Sequence, residues 1–323
     1  QALIRQADTA YERVAAAMGA ELGVRIDADL TDLGDGHAGI AQGGVIRVAL
    51  ETLDAAEALH TLYHETVHSF QFHLAGGRVP EQADSIRTFV EGSAEYISHE
   101  LLSDPVTRSA HRRLAAAAFD RHNIRFEELI DDERFTAVHD SNLVYVLGET
   151  WTAALVESCD SLVTGRFFEA LNREDAPEDL SGIALWQDTL RAAGCALEPA
   201  VAAWGQLMTQ LVEDEREFLD RLPSLGGGVV GVEDGEIILH ASFDRPPEAS
   251  NADYYLRMRR DASASPDQTY TFTSTLSNNG DTVEFRVPAG WVDDGTFEVQ
   301  FGQSIRNARW AFFEDWQPVT VSF

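Results

Sequence analysis

Lysine is absent from this chain. All 24 basic residues are arginine, set against 54 aspartates and glutamates, for a formal net charge of −30 in 323 residues. Such a surface repels phosphate, and no basic stripe runs along the sequence, which argues against a nucleic-acid partner. The acid excess is that of a solvated surface that keeps a protein soluble. Adaptation to salt, where counter-ions screen the self-repulsion, is compatible with it. No run of 18 apolar residues occurs, so no transmembrane segment is expected. Cysteine is scarce: only Cys159 and Cys195 are present. They form no C-x-x-C and flank no histidine cluster, which makes them poor metal ligands. A disulfide between them, suited to an oxidising compartment, and a pair of buried free thiols both fit the sequence.

What remains is globular. Hydrophobic residues make up 44% of the chain, and its length suffices for two domains with a substantial core. Residues 1–20 have helical spacing through Ala10, Val14 and Met18. Strand-like segments follow at Val24–Ile26 and Gly44–Leu50. Thr52 and Asp54 are candidate caps for a helix running to about Ala75, which Gly76-Gly77 ends. Pro80-Glu81 opens the next helix, to about Leu102, and helical periodicity continues to about Leu222. Residues 223–228, Pro-Ser-Leu-Gly-Gly-Gly, then break the pattern and are expected to be a linker. Beyond it the apolar period becomes two: Ile237, Leu239, Ala241 and Phe243; Tyr270 and Phe272; Val283, Phe285 and Val287; Phe297, Val299 and Phe301; Val319, Val321 and Phe323. Asp234-Gly235, Asn279-Gly280 and Asp294-Gly295 are turn signals between these runs. The pattern implies an α+β, mainly helical domain over 1–222 with a small sheet, and an all-β sandwich over 229–323. Trp291, Trp310 and Trp316 either pack between the sheets or mark a partner surface.

The chemistry concentrates in His64-Glu65-Thr66-Val67-His68, an H-E-x-x-H on the expected helix ending near Ala75. Histidines four apart on a helix share a face and can bind one zinc ion together. Glu65 lies beside the metal without having to bind it, and can serve as general base on an activated water. Zinc hydrolases need a third ligand and an open position. Glu91 lies 23 residues after His68, on the next helix, and a helical hairpin would return it toward the metal. Glu95, one turn on, is placed to accept a hydrogen bond from the free ring N–H of a ligand histidine. One zinc ion per chain is expected. His60, His73 and Gln71 read as packing or cleft-lining residues. A di-iron bundle would need a second E-x-x-H on another helix, and none is present there.

H-E-x-x-H followed by Glu91-Gly92-Ser93-Ala94-Glu95-Tyr96 resembles the gluzincin metallopeptidases, which include thermolysin-like enzymes and M1-type aminopeptidases. Val144-Tyr145-Val146-Leu147-Gly148 looks like a later segment of that family, and residues 193–204 like another, so the resemblance covers roughly residues 38–212. It implies a gluzincin-like catalytic fold, zinc on His64, His68 and Glu91, Glu65 as base, and the Tyr145 hydroxyl as oxyanion donor. Two features depart from the family. Residues 39–44 lack the glutamate that holds a substrate amino terminus in the aminopeptidases, though strand 45–50 could still pair with an extended substrate. The second histidine of thermolysin-like sites has no spacing-defined counterpart; His111, His122 and His139 are stand-ins.

The expected function is that of a zinc metallopeptidase acting on peptides or proteins. The alternatives are a zinc enzyme acting on a small molecule or tailored peptide, and a binding protein with a vestigial site. The resemblance, the first residue Gln1 and the acidic surface lead to an expected secreted or periplasmic location. The β-sandwich is expected to be immunoglobulin-like.

Overall fold

The computed structural model describes residues 4–33, 38–42, 44–49, 55–177, 179–246, 250–261, 264, 269–275, 282–291 and 295–321. The architecture is α+β. By internal contacts the chain divides into two compact units: Gln1–Pro105 with Phe126–Asp132 and Val144–Leu207, and Val106–Arg125 with Glu133–Leu143 and Met208–Phe323.

The first unit opens with α1 (Ala7–Met18), which buries Ala10, Val14 and Met18 and ends at Gly19 with φ +67. A left-handed residue at that position is tolerated best by glycine. Three strands follow: β1 (Asp27–Thr31), β2 (Gly39–Gln42) and β3 (Val45–Ala49). Their order is β1-β3-β2, with β1 parallel and β2 antiparallel to β3. The strand expected at Val24–Ile26 forms three residues later. Val24 is 52% exposed, so its apolar side chain reports no core face. The strand expected to receive a substrate, β3, is the centre of its sheet and hydrogen-bonded on both edges. β1 and β2 are the edge strands, each paired only with β3 among the described residues.

α2 (Ala55–Leu74) follows; the expected caps Thr52 and Asp54 lie outside the described residues. It packs on β2, β3 and α1. Residues 61–68 are all buried, so this helix passes through the unit instead of lying on it. Gly76 and Gly77, with φ of +60 and +89, reverse the chain. The next helix is not continuous from Pro80: a short α3 (Arg78–Glu81) precedes α4 (Ala83–Leu102). α4 lies against α2.

An aromatic cluster fixes the other side of α4. Phe89 meets Phe167 and Phe168 of α9 (Val163–Leu171) at 4.8 and 5.6 Å, and Trp186 of α10 (Gly182–Ala192) at 5.4 Å. Trp151 of α8 (Leu143–Ser158) joins through Trp186 at 5.6 Å. Such pairs contribute roughly 0.5–1.5 kcal/mol each beyond their area burial. Trp186 Nε1 also donates to the Ser85 carbonyl at 2.8 Å, which sets the register of α10 on α4. Cys159, just after α8, and Cys195, just before α11 (Leu197–Asp214), form a disulfide with Cα atoms 5.7 Å apart.

The second unit holds eight strands among the described residues: β4 (Leu225–Glu233), β5 (Glu236–Phe243), β6 (Ser250–Arg259), β7 (Tyr270–Thr275), β8 (Thr282–Pro288), β9 (Gly295–Ile305), β10 (Ala311–Phe313) and β11 (Gln317–Val321). One sheet has the order β4-β5-β8; the other is β7-β6-β9, with β10 and β11 on successive stretches of the free edge of β9. Every pairing is antiparallel. Ile237, Leu239, Val283 and Phe285 from one sheet share a single core with Tyr254, Leu256, Val299 and Phe301 from the other.

The expected linker 223–228 is mostly strand, since β4 starts at Leu225. Gly227 fits because the β5 backbone is close: an added Cβ would lie 2.0 Å from the His240 carbonyl oxygen. The unit also reaches back before residue 222. His122 of α5 (Pro105–His122) bonds the Phe313 carbonyl at 3.0 Å, and Gln300 donates to the Val138 carbonyl at 3.0 Å, beside α7 (Asp132–Val138). These ties cross long stretches of sequence and leave no periodic trace. Trp316 lies beneath Arg259 and Arg257, 4.0 and 5.4 Å from its ring centre, and Trp310 packs on His111 at 4.9 Å. The side chain of Trp291 lies outside the described set.

Candidate metal centre

α2 carries His60, His64 and His68 four residues apart, and α4 carries Glu91, Glu95 and His99 at the same interval. Each series lines one face of its helix. The two faces meet in reverse order. Glu91 Oε2 lies 3.3 Å from His68 Nε2 and 3.4 Å from His64 Nε2. Glu95 Oε1 lies 3.1 Å from His64 Nδ1, and Glu95 Oε2 lies 3.3 Å from His60 Nε2.

Tautomers follow from the partners. Gln71 Nε2 donates to the Val90 carbonyl and to Ser93 Oγ, each at 2.9 Å, which turns its Oε1 toward His68 Nδ1 at 2.7 Å. When singly protonated, His68 therefore keeps its proton on Nδ1 and presents a lone pair at Nε2. Glu95 imposes the same tautomer on His64. The two Nε2 atoms are then 2.9 Å apart, with the Glu91 carboxylate closing the triangle. Three electron-rich atoms at such distances repel unless a cation lies among them. Ligand atoms about 2.0–2.1 Å from a tetrahedral zinc ion would be about 3.3–3.4 Å apart. The two edges to Glu91, 3.3 and 3.4 Å, match that spacing, and the His64–His68 edge is shorter at 2.9 Å. His64, His68 and Glu91 can thus hold a metal ion.

The electrostatics agree. Burial opposes charge on His64, but its contacts with Glu91 and Glu95 and the nearby charge of Glu65 push it up to about 10. His68 is also raised: burial is the largest influence and works against charge, but the carboxylates of Glu91 and Glu65 together outweigh it. Glu95 is buried and Glu91 largely so, yet the histidines beside them hold both carboxyls well below the usual range. The pocket is built to hold positive charge between carboxylates.

Glu65 is buried, one turn from His68 on the side facing the small sheet. It fits there because Gly39 of β2 has no side chain: a Cβ would lie 2.7 Å from Glu65 Cγ and 2.8 Å from its Oε1. Tyr145, in the first turn of α8, is half-buried, with its ring centre 6.1 Å from that of His64. What brings it there is a helix crossing. A Cβ on Gly92 would lie 2.0 Å from the Gly148 carbonyl carbon, and one on Gly148 would lie 2.0 Å from the Thr88 carbonyl oxygen. α4 and α8 touch backbone to backbone. The glycines of the two sequence motifs are partners in space.

Sequence reasoning left His60 as a packing residue and passed over His99, Glu149, Gly39 and the Gly92–Gly148 contact. His99 Nδ1 lies 3.0 Å from Glu149 Oε1. A signal for His60 and His99 existed in the interval of four, which extends each motif by one turn. None existed for Glu149. His73 is exposed. His111, His122 and His139 belong to the second unit, where His122 also pairs with Asp315 at 3.0 Å.

No family model matches the chain, and no curated protein matches it. Among solved structures, a polysaccharide deacetylase from Bacillus cereus is 12% identical, over 31% of this chain and 30% of that chain, with a TM-score of 0.24. The chain thus spans under a third of that protein's length, and a likeness this slight carries no argument about fold or activity.

Proposed function

We propose that this protein is a zinc metallopeptidase of gluzincin type. The observation that carries the reading is the convergence of His64 Nε2, His68 Nε2 and Glu91 Oε2 within 2.9–3.4 Å, with both ring tautomers fixed from behind. Two imidazoles and one carboxylate are the donor set of hydrolytic zinc sites, which leave one position open. When bound, zinc would supply Lewis acidity, lowering the pKa of water toward ~7 and polarising a carbonyl.

The remaining steps belong to the chain. Glu65 accepts a proton from the attacking water and passes it to the leaving amine. The Tyr145 hydroxyl donates to the oxygen that gains charge. Glu95 and Gln71 hold the ligand rings in their working tautomers. The edge strand β2, whose Gly39 abuts Glu65, is the surface on which an extended peptide would add as a further strand.

The strand unit is read as an immunoglobulin-like sandwich. The orders β4-β5-β8 and β7-β6-β9 with the β10–β11 edge support this, since the chain crosses from one sheet to the other after β5, β7 and β8, as Greek-key connections do. A secreted or periplasmic location is supported by the Cys159–Cys195 disulfide.

The test is a peptide-library cleavage profile read by mass spectrometry, before and after chelation and after zinc is restored. Cuts that vanish with the chelator and return with zinc are expected. A zinc-loaded protein that makes no cuts would move the chemistry to a small molecule or tailored peptide.

A further inference from the structure

The two rows on α2 and α4 do not stop at the first centre. His60 Nε2 lies 3.3 Å from Glu95 Oε2, and His99 Nε2 lies 3.8 Å from the same oxygen. The three groups place their ligand atoms within 4.8 Å of one another. We propose that His60, Glu95 and His99 form a second divalent-cation site, one helical turn from the first and of the same donor set.

Four observations support it. The first is composition. The first centre takes two histidines from α2 and a glutamate from α4; the second takes one histidine from α2 and a Glu-x-x-x-His pair from α4. Both are two imidazoles and one carboxylate, a set suited to zinc and its neighbours. The second is tautomer. His99 Nδ1 lies 3.0 Å from Glu149 Oε1, so Glu149 orients the ring as carboxylates behind metal-bound histidines do, and Nε2 faces Glu95.

The third is distance. Separations of 3.3 and 3.8 Å exceed the usual N–H···O range of about 2.7–3.2 Å, whereas atoms sharing one ion stand farther apart. The fourth is charge. Glu65, Glu95 and Glu149 are buried and Glu91 largely so, and all four surround this helix pair. One divalent ion balances two of these carboxylates; a second balances the rest. Glu95 serves both centres, with Oε1 toward His64 and Oε2 toward the second site. An ion there would tie α2 to α4 and stiffen the histidine that binds the first.

The test is calorimetric titration of chelator-stripped protein with zinc alone, for the wild type and for His60→Gln, His99→Gln and His68→Gln. Two equivalents are expected for the wild type. One is expected for His60→Gln or His99→Gln, and one for His68→Gln, which spares the second site. A wild type that saturates at one equivalent and falls to none in His68→Gln would overturn the proposal. So would two equivalents that persist in both His60→Gln and His99→Gln. If the wild type takes one ion, lost in His60→Gln and kept in His68→Gln, the second site stands and the first centre fails. His60 is 16% exposed, so its substitution is the safer one should His99→Gln not fold.

Discussion

Gly92→Ala adds one methyl group at the crossing of α4 and α8. Its Cβ would lie 2.0, 2.2 and 2.5 Å from the carbonyl carbon, Cα and oxygen of Gly148. Ordinary contact begins near 3.4 Å, so the helices must part by about 1.4 Å. The partner atoms are backbone, which cannot swing aside. Two effects compete. Alanine is about 1 kcal/mol better than glycine inside a helix. Overpacking costs about 1–3 kcal/mol, and rigid backbone on the far side points to the upper end. The clash wins by about 2 kcal/mol, which for a unit of this size lowers the melting temperature by roughly 4–8 °C. Tyr145 is one turn from Gly148, so α8 carries it away from His64, and a displacement near 1 Å costs about 10²-fold in turnover. Gly205→Ala, in α11 with nothing within 4 Å of the new Cβ, is the control. It should stabilise by up to about 1 kcal/mol. Melting followed by circular dichroism, with peptide turnover on the same samples, decides. Gly92→Ala as stable as Gly205→Ala would refute the backbone crossing.

Other outcomes follow from the same contacts. Zinc affinity should rise with pH: His64, raised to about 10, must give up a proton to bind, so between pH 6 and 9 each unit should tighten binding severalfold. Without metal the sign inverts, because a folded pKa above the unfolded 6.5 stabilises fully below about pH 6.5 and is lost as pH rises through about 10. Chelator competition and urea melts across pH read the two slopes, and flat slopes would contradict the charge assignment. Gln71→Leu removes the acceptor at His68 Nδ1 and the donor to the Val90 carbonyl; metal affinity should fall about 10–100-fold. Cys159→Ser with Cys195→Ser opens a loop with a sequence separation of 36, worth about 4 kcal/mol by chain entropy. An unchanged guanidinium midpoint after that double substitution would show the disulfide to be idle.

How much of this was legible in the sequence depends on range. α2 and most of α4 were readable because their apolar spacing, and the glycines that stop α2, are local. The His64, His68, Glu91 and Glu95 positions were readable because each motif lies on one helix and a hairpin is the simplest way to join them. β5, β7, β8, β9 and β11 announced themselves by alternation. β6 carries Tyr254, Leu256 and Met258 in the same alternation, so its signal is also local. β4 was hidden by three glycines, which look like a linker until the close β5 backbone explains them. β3 was recognised as a strand, but its central place depends on two long-range partners. The grouping of α5 with the strands comes from contacts far apart in sequence, such as His122 to the Phe313 carbonyl and Arg121 to Glu314, which no pattern encodes.

The most direct measurement compares Glu65→Gln with the wild type, using one cleaved peptide and equal bound zinc. Glutamine keeps the size of the side chain and removes the base, and Glu65 is not among the three ligand residues. Zinc content should be unchanged while turnover falls by about 10²–10⁴-fold. Undiminished turnover in Glu65→Gln at full zinc occupancy would contradict the mechanism.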